Sequence, residues 1–140
     1  MEAAVVIVGL DYGEKRIGVA ASDELEIAAH PVGTIERDGA ELERITEVVR
    51  ERGVERIVVG LPLRMEGSEG IAARKVRSFV KELRRELPGV EVETMDERLS
   101  TAQAHRALSQ MGAGMRTRRE NVDRMAAQII LQRYLERRRG

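Results

Sequence analysis

The chain has 140 residues, 42% of them hydrophobic and 34% charged, which excludes a disordered tail or a fibre and fits one domain over 1–140. It has no cysteine, so disulfides, thiolate metal sites and cysteine nucleophiles are excluded together. With aromatic residues at 2%, base stacking on an aromatic platform is excluded as a main binding mode. The net charge is zero, but the two signs are segregated. Residues 1–97 hold 14 basic and 21 acidic side chains, and residues 98–140 hold 10 and 3. Such asymmetry hints at nucleic-acid contact, though helix faces that differ in sign would produce it too. No apolar run approaches ~20 residues and no signal-peptide pattern opens the chain, so a soluble, cytoplasmic protein without a membrane partner is expected.

The first element, Ala4-Val-Val-Ile-Val-Gly-Leu10, is a β-branched apolar run of the kind that forms a strand buried on both faces. The turn signal Asp11-Tyr12-Gly13 and a second apolar stretch, Ile17 to Ala21, predict a hairpin. A third strand is expected around Val32–Ile35. Leu42, Ile45, Val48 and Val49 then fall at helical spacing, and Gly53 stops that helix. Arg56–Leu61 reads as a fourth strand. After the loop Pro62–Gly70, the stripe Ala72, Val76, Phe79, Val80, Leu83 and Leu87 marks a long helix that Pro88-Gly89 ends. Val90–Met95 reads as a fifth strand. A helix starting at Ser100 or Thr101 would bury Ala104, Ala107, Leu108 and Met111. A basic loop, Gly112–Arg119, would then lead to a last helix capped by Asn121 and ending near Arg138. Three strands first, then two that each follow a helix, predict an α/β sandwich on a mixed five-stranded sheet, antiparallel at first and parallel at the end.

Three carboxylates stand out by position. Asp11 closes a buried strand, Glu97 lies just beyond the fifth, and Asp123 shares a helical face with Ala127, Ile130 and Tyr134. If the first, fourth and fifth strands are parallel neighbours, Asp11 and Glu97 emerge at the carboxyl edge, where ligands of open α/β sheets gather. Converging carboxylates suit a hard cation, Mg²⁺ or Mn²⁺. Each also has a plainer reading: Asp11 as a turn former, Glu97 as a surface partner of Arg98, and Asp123 as a complement to a helix dipole. Gly9 to Gly18 is neither a Walker A loop nor a Rossmann fingerprint, yet its Lys15 and Arg16 could reach a phosphate. The loop Gly60 to Gly70 lies between a strand and a helix, where backbone N–H groups can meet an anion. His30 and His105 read as structural.

Four stretches resemble the YqgF-type pre-16S rRNA nuclease family, also described as Holliday-junction-resolvase-like proteins of ribonuclease H fold. They are Leu10-Asp-Tyr-Gly-Glu-Lys-Arg-Ile-Gly-Val-Ala20, Val58-Val-Gly-Leu-Pro-Leu-Arg-Met-Glu-Gly-Ser-Glu-Gly70, Asp96-Glu-Arg-Leu-Ser-Thr101 and Asn121-Val-Asp-Arg-Met-Ala-Ala127. Arg64 and Glu66 depart from the Asn and Asp more usual in the second stretch. The resemblance implies a ribonuclease H-like domain whose Asp11, Glu97 and Asp123 hold divalent metal and hydrolyse phosphodiesters. It implies trimming of the 5′ end of precursor 16S rRNA, or resolution of branched DNA. Arg98, Arg116, Arg118, Arg119 and Arg124 would then clamp phosphates, as arginine forks do. A non-catalytic nucleic-acid-binding module of the same fold is the rival from another class. A sugar-kinase-like phosphotransferase would need a second domain.

Overall fold

The computed structural model describes residues 6–23, 25–97 and 115–139, with side chains in the last helix from residue 124 to 138. In chain order the elements are β1 (Val6–Tyr12), β2 (Arg16–Ser22), β3 (Ala29–Glu36), α1 (Glu41–Arg52), β4 (Val54–Leu61), α2 (Ile71–Glu86), β5 (Glu91–Asp96) and α3 (Met115–Arg139). The strands form one sheet in the order β3-β2-β1-β4-β5. β1, β2 and β3 pair antiparallel, whereas β4 pairs parallel to both β1 and β5. This is the mixed sheet expected from the sequence, with β1, β4 and β5 ending at one edge.

Period-two alternation divides the core into two layers. Val8, Leu10, Val59 and Val92 face α1 and α2 and pack with Ile45, Val76, Phe79 and Leu83. Ile7 and Val58 face the other way, onto Ala127, Ile130, Leu131 and Leu135 of α3. The second layer is thin because both surfaces are shaved. A Cβ added to Gly9 would lie 2.8 Å from the Leu131 Cβ and 3.1 Å from the Ala127 carbonyl oxygen, so the α3 backbone rests directly on β1.

Several details differ from the sequence reading. β3 begins at Ala29, three residues early, because α3 holds its start: Gln132 accepts from the Ala29 N–H at 2.9 Å, and Gln128 donates to the Ala29 carbonyl at 3.1 Å. Helix α2 buries Ala73, and Ala72 is exposed. The last helix starts at Met115, so Met115 to Arg119 is helix and the Asn121 cap signal is overridden. After Gly114 no glycine or proline interrupts the run. Gly53 ends α1 in the left-handed region, φ 63°, as expected. The helix expected from Ser100 or Thr101, with His105, lies outside the described residues. His30 is exposed on the edge strand β3.

At the opposite end of the sheet, Arg56 donates to Glu93 at 2.6 Å and pairs with Glu91 at 2.5 Å, while the Tyr134 hydroxyl donates to Glu93. This ties α3 to β4 and β5. The Tyr134 and Arg56 contacts hold the Glu93 carboxyl below its ordinary 4.5, so its contribution is present above that value and lost as pH falls through the lowered one. Tyr134→Phe is expected to cost below about 1 kcal/mol in urea melts at pH 7, and less at pH 3.

Candidate active site

Asp11 is the next-to-last residue of β1 and is 9% exposed; Glu97 follows β5 directly and is 7% exposed. Their strands are not neighbours, since β4 runs between them. Two strand spacings, roughly 9–10 Å, separate the backbones. The carboxyls meet because the residue between them has no side chain. Gly60 pairs with Met95, and a Cβ placed on it would fall 2.8 Å from the Glu97 carboxyl carbon and from Oε2. Glu97 therefore lies across bare β4 backbone and hydrogen-bonds the Asp11 side chain. Its own N–H extends the parallel ladder, donating to the Leu61 carbonyl at 3.1 Å.

The electrostatics of this pair are costly. Burial, then the Asp11 charge and hydrogen bond, push the Glu97 carboxyl from 4.5 up to about 9, with Asp96 adding to the shift. Burial and the neighbouring Asp11 charge thus favour the protonated form of Glu97 in the metal-free protein. Its Oε2 is buried without a hydrogen-bond partner among the described residues, a defect that a fold tolerates where another group completes the site. Two buried carboxylates and an orphaned hard oxygen fit a divalent cation such as Mg²⁺ or Mn²⁺. No cluster of three metal-ligating residues occurs among the described residues. Asp123 is on α3, one turn before Ala127, upstream of the described side chains.

Lys15 is exposed in the β1–β2 turn, and Arg16 is half-buried and pairs with Glu36 at 3.4 Å. Arg124 is half-buried on α3. Arg116, Arg118 and Arg119 are on α3 ahead of the described side chains, and Arg98 lies outside the described residues. The sequence reading did not assign three residues the places they take here. Gly60 was legible as a glycine within an apolar strand, a sign of close approach. Arg37 and Lys75 carried no local signal: they line a cleft beside Tyr12 that only the tertiary fold creates.

The sheet order, with β1, β4 and β5 parallel and an acidic pair buried at their carboxyl edge, is that of a ribonuclease H-like α/β protein. Residues 5–137 match the family described as RuvX, Holliday junction resolvase, and the chain belongs to that family. A protein of Desulforudis audaxviator (strain MP104C) is 45% identical over 136 residues, covering 96% of each chain. One of Syntrophus aciditrophicus (strain SB) is 47% identical over 132 residues, covering 93% of this chain and 87% of its own. Both bear the name "Putative pre-16S rRNA nuclease". Among solved structures, T. thermophilus RuvC in complex with Holliday junction substrate superposes with a TM-score of 0.58 at 19% identity, over 97% of this chain and 96% of that one. Fowlpox virus resolvase with its junction DNA also gives 0.58, at 12% identity, over 97% and 100%. These two likenesses show the fold. Family and relatives make the chain a nuclease, a hydrolase of phosphodiester bonds. No described helix is long and apolar enough to cross a membrane.

Proposed function

We propose that this nuclease depends on a divalent metal and processes the 5′ end of precursor 16S rRNA in the cytoplasm. Asp11, Glu97 and Asp123 would hold the metal, Mg²⁺ or Mn²⁺. The observation that carries this is the buried Glu97 Oε2 beside Asp11, without a hydrogen-bond partner among the described residues. When bound, a divalent ion supplies a lowered water pKa and charge neutralisation at the phosphate. The chain does the rest. Asp11 and Glu97 fix the reacting edge in a rigid sheet, and the apolar layer beneath, with Ile130 against Gly60, excludes bulk water. Arg98, Arg116, Arg118, Arg119 and Arg124, with Lys15 at the turn, would hold the backbone and read little sequence. Arg16 contributes less, being already paired with Glu36.

The test is purified protein with Mg²⁺ or Mn²⁺ on a 5′ precursor rRNA fragment beside a four-way DNA junction. Asp11→Asn is expected to lower the rate at least about a hundredfold without lowering the melting temperature at neutral pH, as removing a reacting-centre group does. Cleavage by Asp11→Asn at the wild-type rate would sink the site assignment. Preference for the four-way junction would favour the resolvase reading, which the family description and the two junction-bound structural neighbours support.

A further inference from the structure

On the opposite face of the same strand end lies a cleft of about 630 Å³, within the range of small-molecule sites. Asp11 and Tyr12 are consecutive in β1, so their side chains leave on opposite faces: Asp11 toward α3, Tyr12 toward α2. Tyr12 forms the wall of the cleft, and it is rigid. Its ring stacks on Phe79, with centroids 4.3 Å apart, and the Arg37 guanidinium lies 4.2 Å over its centroid. Arg37 is fixed in turn by donating to the Gly13 and Glu14 carbonyls at 2.7 and 3.1 Å. Pro62 and the exposed Ile71 supply further apolar surface.

The charges in the cleft are unbalanced. Lys75 and Arg37 line it, and neither has a carboxylate partner among the described residues. Glu14 is the one carboxylate among the described residues that line it. Among the described residues, two cations against one anion leave a net positive charge, which suits a phosphate group of a nucleic-acid strand. The first turn of α2 also opens there, with no acidic side chain and no side-chain cap on its amides.

We propose that this cleft is a nucleotide subsite of the substrate strand: it takes an internal phosphodiester on Lys75 and Arg37 and lays the adjoining sugar or base against Pro62, Ile71 and the edge of the Tyr12 ring, whose two faces Phe79 and Arg37 already cover. A strand crossing the carboxyl edge then engages the Asp11–Glu97 side with its scissile bond and the Lys75 side with a neighbouring link. The subsite rests on the nuclease reading, and is tested by binding instead of turnover.

The experiment is fluorescence anisotropy with a short labelled single-stranded oligonucleotide and full-length protein in EDTA, at several salt concentrations. Lys75→Glu is expected to weaken binding several-fold and to lower the salt slope by about one. Lys81→Glu makes the same charge change on the same helix, outside the cleft, and is expected to bind nearly as wild type. Wild-type affinity and slope in Lys75→Glu, an equal loss in Lys81→Glu, or no binding by the wild type would each overturn the subsite. Selective loss in Lys75→Glu without cleavage under any metal would uphold the subsite and count against the proposed reaction instead.

Discussion

Glu97→Gln is expected to raise the melting temperature of chelator-treated protein at pH 8 by several degrees while removing nuclease activity. The substitution keeps the shape of the side chain and deletes its titration. In the metal-free fold, burial and Asp11 raise the Glu97 carboxyl from 4.5 to about 9, so the folded state holds that proton more tightly than the unfolded one. The stability this confers is full below pH 4.5 and drains away as pH climbs toward 9, by up to about 1.4 kcal/mol per pH unit. Glutamine has no such slope. Wild type and variant should therefore melt alike near pH 4 and diverge at alkaline pH, the variant being the more stable. Mg²⁺ or Mn²⁺ should narrow the gap by stabilising the wild type and leaving Glu97→Gln nearly unmoved. Thermal melts across pH 4–9, with and without metal, measure all of this. A variant less stable than wild type at pH 8 in chelator would show that Glu97 is not held protonated against Asp11.

The architecture was legible because each strand announces itself locally. β1 and β4 are β-branched apolar runs that only burial on both faces explains, and β5 alternates Val with Glu as a strand at the sheet edge must. Gly53 marks the end of α1 for a reason confined to one residue, its positive φ. Features that depend on distant chain segments were not legible in this way. Nothing near Ala29 says that Gln128 and Gln132 will extend β3, as the partners lie about a hundred residues away. The Asn121 cap signal failed because a cap is a weak preference, and Met115 to Glu120 contains no residue that stops a helix. Asp11 and Glu97 were recognisable as candidates from their places at strand ends. Their hydrogen bond was not, because it depends on which strand runs between them. The Tyr12 cleft is more extreme still, assembled from β1, α2 and three loops.

That dependence makes Gly60 the sharpest test of how the site is built. Gly60→Ala is expected to cost about 1–3 kcal/mol, as overpacking in a well-filled core does, and to lower activity about a hundredfold, the scale of a misplaced catalytic group. The new methyl would sit 2.6 Å from the Ile130 Cδ1 and 2.8 Å from the Glu97 carboxyl carbon. Ile130 can turn its far end aside at modest cost. Glu97 has no such freedom, because its backbone is tied to Leu61 and its carboxyl must cross β4 to reach Asp11. The added methyl thus acts mainly on the distance between the two carboxyls. Two measurements separate this from general damage to the core. First, the alkaline loss of stability should shrink in Gly60→Ala, since a Glu97 displaced from Asp11 and toward solvent titrates nearer its ordinary value. Second, Glu97→Ala should relieve most of the strain, so the double variant should be more stable than the two single losses predict. Full activity in Gly60→Ala would mean that the carboxyls do not meet over bare β4 backbone.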